Sequence, residues 1–400
     1  MKIAVFHDQP SGGARRALHG FCRTLLARGH RIDFFTLSTA DHEMLRDEDV
    51  ATSVTVLPFA FKPSIRGGLY LNDIRRRQSF ADLEHMNAHA AELIDAGQYD
   101  VALVDACRFT FAPHVLRYLH TPSAYFCHHR PARRFEHAFS PPVSVYERAR
   151  ELWHWPLERD LERRLWEEDR RLVRSADRVI TNSNFSQDRI REVYGVEAAV
   201  CTYGVDLPAE APVTRQDYVL SVGELEVRKG FDFVLDSLAT LPVPPPLHIV
   251  ANQANARVRA ALEAQAGRLG ISLTIRVLPP QPELAREYRE AAAFVYGARE
   301  EALGLAPLEA MASRTPVVAV AEGGVPETVE HGVSGYLVER DPRQFGSRLA
   351  ELLSSRRLRD RMGAAGRAAI EERWTWPLRA RALERELLAL ARQAAVEEPA

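Results

Sequence analysis

The chain reads as an α/β protein made of two doubly wound, parallel-sheet (Rossmann-like) halves facing a central cleft. Its 400 residues exceed what one hydrophobic core usually organises, on the order of 150 residues per domain. Short, wholly apolar runs such as "IAVF" (Ile3–Phe6) alternate with stretches whose apolar residues recur at helical spacing, the order of a parallel sheet with crossover helices. That alternation stops once, at the proline-containing linker "GVDLPAEAPVTRQD", and then starts again.

The first series opens with the strand Ile3–Phe6, a polar turn "HDQPSGG", and the helix "ARRALHGFCRTLLARG" ending at Gly29, followed by the strand "RIDFFTL". "DVALVDA" (Asp100–Ala106), "SAYFC" (Ser123–Cys127) and "DRVITNS" (Asp177–Ser183) add further strands. A charged, helix-like stretch from Glu147 to Ser175 carries Trp153, Trp155 and Trp166, read as packing anchors, and Pro156 divides it. The second series runs "YVLSVG", "GFDFVLDSLATL", "PLHIVA", a helix to Leu269, "LTIRVL", "ELAREYREAA", "AFVYG" and "TPVVAV", alternating strand and helix. It ends in one long amphipathic helix, "WPLRARALERELLALARQAA". The boundaries that follow are 1–208, 209–375 and a terminal helix 376–400.

A hydrophobic content of 46%, a charged content of 26% and a net charge of -2 describe an ordinary globular protein and argue against nucleic acid as a partner. The basic runs "DIRRRQ" (Arg75–Arg77) and "HHRPARRFE" (Arg130, Arg133, Arg134) read as solvated surface or as contacts to an acidic substrate or an anionic membrane surface. Cys22, Cys107, Cys127 and Cys201 form no C-x-x-C pair, which fits a reducing cytoplasm and offers no zinc site. The start "MKIAVFHDQP" lacks the apolar core of a signal peptide, and no run of about 18 apolar residues occurs. The expectation is a cytoplasmic protein, at most peripheral to the inner face of the membrane.

Candidate chemistry gathers at predicted strand ends. In "GAREEALGLAPLEAMA" (Gly297–Ala312), Pro307 suits a first helical position, which predicts a helix starting there with Gly304, Leu305 and Ala306 as its approach. Glu301 then lies in the preceding loop and Glu309 at about the third helical position. A helix N-terminus offers unpaired N–H groups to a phosphate, and a glycine beside it lets a ligand come close. One carboxylate on each side can accept hydrogen bonds from vicinal sugar hydroxyls, the demands of a nucleoside diphosphate sugar. The plainer reading is a capping box and a surface glutamate, against which Ala306 is a poor cap. "SVGELEVRKGF" (Ser221–Phe231) puts Arg228 and Lys229 on the same rim, where they either neutralise a diphosphate or are simply solvated. "SGGARR" gives a Gly12–Gly13 turn that is not G-x-G-x-x-G, which disfavours a nicotinamide cofactor. "YFCHHRP" places His128 and His129 after a strand, either as satisfied core histidines or as hydrogen-bonding or proton-handling groups.

These residues resemble a known family. "EEALGLAPLEAMASRTPVVAVAEGGVPETVEHGVSGYLV" (Glu300–Val338) is similar to the donor-binding signature of the retaining glycosyltransferase family 4, of GT-B architecture, with Glu301 and Glu309 as its E-x7-E pair. "VGELEVRKGF" resembles the family's phosphate-binding turn, "NSNFSQDRIREVYGVEAAVCTYGVD" (Asn182–Asp206) the segment closing its first domain, and "YFCHHRPAR" its acceptor-side histidine motif. The resemblance is weakest between Asp41 and Gln98.

It implies that 1–208 binds the acceptor, 209–375 binds the donor, and 376–400 packs back on the first domain. Glu309 would hold the nucleotide ribose; Glu301, with the backbone of Gly304 and Leu305, the transferred hexose. Lys229, Arg228 and the opposing Gly12–Gly13 turn would meet the diphosphate. The catalytic histidine matches His128, which directly follows the strand, better than His129. The implied reaction moves a hexose from a UDP- or GDP-linked donor to a saccharide or lipid-linked acceptor hydroxyl, with retention and without metal or cofactor. One position departs from the pattern: Glu224 stands where the family carries an arginine, so either Arg228 takes over or Glu224 points away. The competing readings are a non-catalytic nucleotide-sugar binder, which loss of Glu301, Lys229 or the histidine would favour, and a GT-B nucleotide-sugar epimerase.

Overall fold

The computed structural model describes residues 1–10, 12–41, 45–63, 69–128, 161, 163–209, 214–253 and 255–397. Ser11, His129, Arg130, Arg133, Arg134, Trp153, Trp155 and Pro156 lie outside the described residues.

In the first half, strands β1 (Lys2–Asp8), β2 (Arg31–Leu37), β3 (Ser53–Leu57), β4 (Val101–Cys107), β5 (Ser123–Phe126), β6 (Arg178–Thr181) and β7 (Ala198–Val200) form one sheet in the order β3-β2-β1-β4-β5-β6-β7. Every pair is parallel, with Ile3 opposite Ile32 on one side and Val101 on the other. Between the strands lie α1 (Gly13–Ala27), α2 (Leu69–Ala96), the short α3 (Val115–Tyr118), α4 (163–175) and α5 (Asn184–Tyr194). The second half pairs β8 (Val219–Val222), β9 (Leu247–Ala251), β10 (Leu273–Val277), β11 (Ala293–Tyr296), β12 (Val317–Val320) and β13 (Gly335–Val338) in the order β10-β9-β8-β11-β12-β13, again all parallel. Its helices are α6 (Phe231–Leu238), α7 (Ala256–Leu269), α8 (Gln281–Glu290), α9 (Leu305–Ala312), α10 (Pro342–Ser354) and α11 (Arg356–Arg373), and α12 (Trp376–Glu397) closes the chain.

Strand order reverses between β1 and β4 in one sheet and between β8 and β11 in the other. Ligands of doubly wound sheets bind in the crevice at such reversal points, beyond the carboxyl ends of the strands. The four loops that leave β1, β4, β8 and β11 therefore define where function belongs.

The terminal helix returns to the first half. The Trp376 ring stands edge-on to Phe21 at 5.3 Å, and a Cβ on Gly20 would lie 2.3 Å from that indole, so glycine there is a condition of the contact. Leu383 and Leu387 are fully buried, and Glu384 accepts from Arg28 Nε at 2.9 Å. At the crossing, Val205 N–H donates to Trp374 O at 2.8 Å, tying the linker to the end of α11. The arginines of "DIRRRQ" sit on α2, where Arg75 Nε donates to Pro63 O at 3.2 Å and Arg77 Nε to Asp73 at 2.8 Å. Trp166 packs beside Tyr194 with ring centroids 6.0 Å apart. Among the described residues no helix is long and apolar enough to cross a membrane.

Replacing Trp376 by alanine removes the anchor of α12 and should cost about 3–5 kcal/mol, the range for a buried aromatic truncated in a core. Urea unfolding of Trp376→Ala and Gly20→Val should show comparable losses; wild-type stability in both would mean that α12 does not belong to the first core.

Candidate functional site

The four loops converge on one cleft of about 970 Å³, lined from both halves. Gly12, Gly13, His128, Arg228, Lys229, Glu301, Gly304, Leu305 and Glu309 all border it.

Glu301 lies in the loop between β11 and α9. It accepts from Lys229 Nζ at 2.6 Å and from the Tyr296 hydroxyl at 2.9 Å. Burial alone would raise its pKa, but the charges of Lys229 and Arg228 and these two hydrogen bonds outweigh it and pull the carboxyl from 4.5 down to about 2. The Tyr296 phenol is held well above its ordinary pKa, by burial first and Glu301 second, so it remains a donor.

Helix α9 begins at Leu305, two residues earlier than the sequence predicts. Gly304 supplies the reason: it adopts the left-handed region at φ 93, which a glycine enters without steric penalty, and turns the chain into the helix. Pro307 falls at the third helical position. This costs no hydrogen bond, since the first four N–H groups of a helix have no partner within it. Glu309 accordingly stands a turn into the helix instead of in its first turn. It accepts from Tyr288 Oη at 2.7 Å and, across the cleft, from Arg16 Nη1 at 2.5 Å.

The glutamate at 224 does not point away from the basic pair. Arg228 Nη2 donates to Glu224 Oε2 at 2.9 Å and its Nε to Glu226 Oε2 at 2.5 Å, so two carboxylates share one guanidinium. Burial works against that charge, yet Glu301, Glu226 and Glu224 hold the Arg228 pKa above its ordinary value. Arg228 is thus engaged by two carboxylates of its own loop. Glu224 Oε1 also faces the opposite wall, 3.7 Å from where a Cβ on Gly12 would stand.

On that wall His128 is buried, at 4% exposure, with its ring stacked on Phe126 at 4.5 Å. Its Nε2 is 2.6 Å from Asp105 Oδ1 and its Nδ1 2.5 Å from the Tyr203 hydroxyl, which accepts in turn from Asn182 Nδ2 at 2.7 Å. A neutral ring donates from Nε2 to the carboxylate and accepts the phenol proton at Nδ1. Both ring nitrogens are therefore hydrogen-bonded within the protein. Among the described residues, Asp105 Oδ2 and Gln9 Oε1, buried beside it, have no hydrogen-bond partner.

Further contacts join the halves next to the site. Ser183 Oγ donates to Ala302 O at 2.5 Å. Glu327 accepts from the N–H groups of Asn184 and Phe185 at 3.0 and 2.9 Å, closing the N-terminus of α5 from the other domain. Among the described residues, no group of three or more His, Cys, Asp or Glu side chains is placed to hold a metal ion.

Sequence reasoning missed Arg16, Tyr288, Tyr296, Asp105 and Tyr203. Asp105 left a signal, a carboxylate ending an apolar strand, and Arg16 stood inside the glycine-turn motif; the tyrosines left none.

Two family models match this chain. Residues 11–207 match "Glycosyltransferase Family 4" and residues 206–369 match "Glycosyl transferases group 1". A D-inositol 3-phosphate glycosyltransferase of Thermobifida fusca is 34% identical over 222 residues, 49% of this chain and 51% of that protein. One from Frankia alni is 40% identical over 167 residues, 38% of this chain and 41% of that protein. The chain thus spans about half the length, or less, of these curated relatives. Among solved structures, sucrose-phosphate synthase from Thermosynechococcus elongatus superposes with a TM-score of 0.73 at 19% identity over 100% of both chains. Anabaena HepE in complex with UDP-glucose does so with a TM-score of 0.71 at 19% identity over 97% of this chain and 100% of that one. The fold is GT-B.

The depressed pKa of Glu301 has a definite sign. The unfolded carboxyl binds its proton more readily than the folded one, so stability is present above the unfolded value of 4.5 and is lost as pH falls toward about 2. The side chain is only 16% exposed, so the shift converts to about 3 kcal/mol at 1.36 kcal/mol per unit. Urea unfolding between pH 5 and 2.5 should show a shallower loss for Glu301→Gln than for wild type; parallel curves would refute the assignment.

Proposed function

This chain belongs to glycosyltransferase family 4, and on that basis we propose that it is a retaining hexosyltransferase that uses a UDP- or GDP-linked sugar and an acceptor hydroxyl. The reading is carried by one observation: Glu301 and Glu309, each braced by a cation and a tyrosine, flank the start of α9 in a cleft shared by two sheets.

Glu309 accepts the vicinal hydroxyls of the nucleotide ribose. Glu301, ionised at all working pH values by its pKa of about 2, accepts hexose hydroxyls and is no proton donor. Lys229, the α9 N-terminus with the backbone of Gly304 and Leu305, and the Gly12–Gly13 turn surround the diphosphate. Preorganised dipoles and cations of this kind stabilise the leaving group's charge without a metal ion. His128 forms the wall against which donor hexose and acceptor meet, held in register by Asp105 and Tyr203. Residues 1–208 recognise the acceptor, a saccharide or lipid-linked alcohol, and 209–375 the donor. The relatives' name makes D-inositol 3-phosphate the first acceptor to try. Work at the cytoplasmic face, with at most peripheral membrane contact, completes the reading.

Thermal-shift screening against UDP-, GDP-, ADP- and dTDP-sugars tests it. A saturating donor, at 100 times its Kd, should stabilise the protein by about 2.7 kcal/mol; no shift with any donor sinks the proposal. Glu309→Ala should weaken nucleotide binding, whereas Glu301→Ala should cut turnover by about 10²-fold with nucleotide affinity largely kept. Donor converted to an isomeric sugar without acceptor would establish an epimerase instead.

A further inference from the structure

We propose that Arg16, a residue of the first half, is a diphosphate-binding cation of the donor site and supplies the charge that Glu224 withdraws from Arg228. The proposal rests on the nucleotide-sugar reading above and adds to it a residue from the opposite domain.

The charges near the donor loop are already engaged. The loop after β8 offers two cations, but three carboxylates hold them: Glu224 and Glu226 on Arg228, and Glu301 on Lys229. A diphosphate approaching this rim would compete with Glu224 and Glu226 for a guanidinium whose fork is already bonded at both Nε and Nη2. It would also meet the Glu224 carboxylate itself, a like charge.

Arg16 is differently placed. It belongs to the first turn of α1, and its backbone N–H donates to Gly12 O at 3.1 Å, so it moves with the Gly12–Gly13 turn. At that turn the two walls come close: a Cβ on Gly13 would stand 3.6 Å from Leu305 Cδ1, and one on Gly12 3.7 Å from Glu224 Oε1. The Arg16 side chain borders the cleft and is 32% exposed, and its bond to Glu309 uses Nη1 alone. A guanidinium carries five N–H donors in a planar fork that matches a phosphate. Glu309 likewise keeps acceptor capacity on both oxygens while bonded to Arg16 and Tyr288. Ribose on Glu309 and hexose on Glu301 place the phosphates between those two carboxylates. There the diphosphate passes the first turns of α1 and α9, with Arg16 beside it. The charge withdrawn from Arg228 is thus supplied from the acceptor domain, opposite Lys229, and it reaches the donor only while the two halves are together.

Titration calorimetry on the full chain separates this role from mere support of Glu309. The probes are UDP and uridine, repeated with GDP and guanosine. Arg16→Ala should weaken the diphosphate by about 10-fold or more, as loss of a charge-assisted hydrogen bond does, and leave the nucleoside within about twofold. Arg16→Gln, which keeps a donor for Glu309 but no charge, should show the same split and guards against misfolding of the alanine variant. Adding Glu224→Gln to Arg16→Ala releases Arg228 from one carboxylate and should restore most of the diphosphate affinity. Equal losses for diphosphate and nucleoside, or no loss, would overturn the proposal while leaving the nucleotide-sugar reading intact. Wild-type protein that binds neither UDP nor GDP would overturn that reading and this one together.

Discussion

Parallel pairing in both sheets is the constraint from which the rest of the molecule follows. Parallel strands need a crossover after each strand, so all carboxyl ends point the same way and all connecting loops of one kind gather on one edge. Two such edges turned toward each other make a cleft bordered by loops of both sheets, with no need for any of them to be long. The reversal of strand order beside β1 and β8 then separates neighbouring crossovers and opens a crevice in each sheet. Gly12, Asp105, Lys229 and Glu301 are there because β1, β4, β8 and β11 end there.

Within that frame the cleft is organised by mutual neutralisation. The two carboxylates beside the start of α9 each have their own cation, Lys229 for Glu301 and Arg16 for Glu309, and each pair is completed by a buried tyrosine hydroxyl. A carboxylate left alone at such burial would raise its pKa and lose its charge. Held this way it stays an acceptor, aimed and desolvated before a ligand arrives, which is the preorganisation that polar recognition depends on. The opposite wall follows the same logic, since Asp105 and Tyr203 fix the His128 ring from both of its nitrogens.

The sequence made the strands and their order legible wherever an apolar run was short and bounded. Runs such as "RIDFFTL" and "TPVVAV" are hard to read otherwise, whereas β3, β7 and β13 are short or mixed in character and carried no such signal. The Glu301–Glu309 spacing, Lys229 and the glycine turn were also visible, since local chemistry at a strand end is a local signal. The start of α9 was misplaced because Pro307 suits any position of a first turn, and only the left-handed φ of Gly304 decides between them. Partners brought in by tertiary structure were invisible: Arg16 and Glu309 are 293 positions apart. The fate of Glu224 was likewise a matter of rotamers and neighbours, which spacing does not encode.

The Glu327 carboxylate carries a further consequence. It caps α5 from the other domain, so the first turn of that helix is complete only while the halves are together. Separating them exposes two backbone amides to solvent and leaves the positive end of the helix dipole uncompensated, at a cost of roughly 0.5–2 kcal/mol for a lost cap. The helix end is therefore a built-in gauge of domain separation. The half-buried amide of Phe185, bonded to Glu327 only while the halves meet, ties the order of that helix end to the state of the cleft.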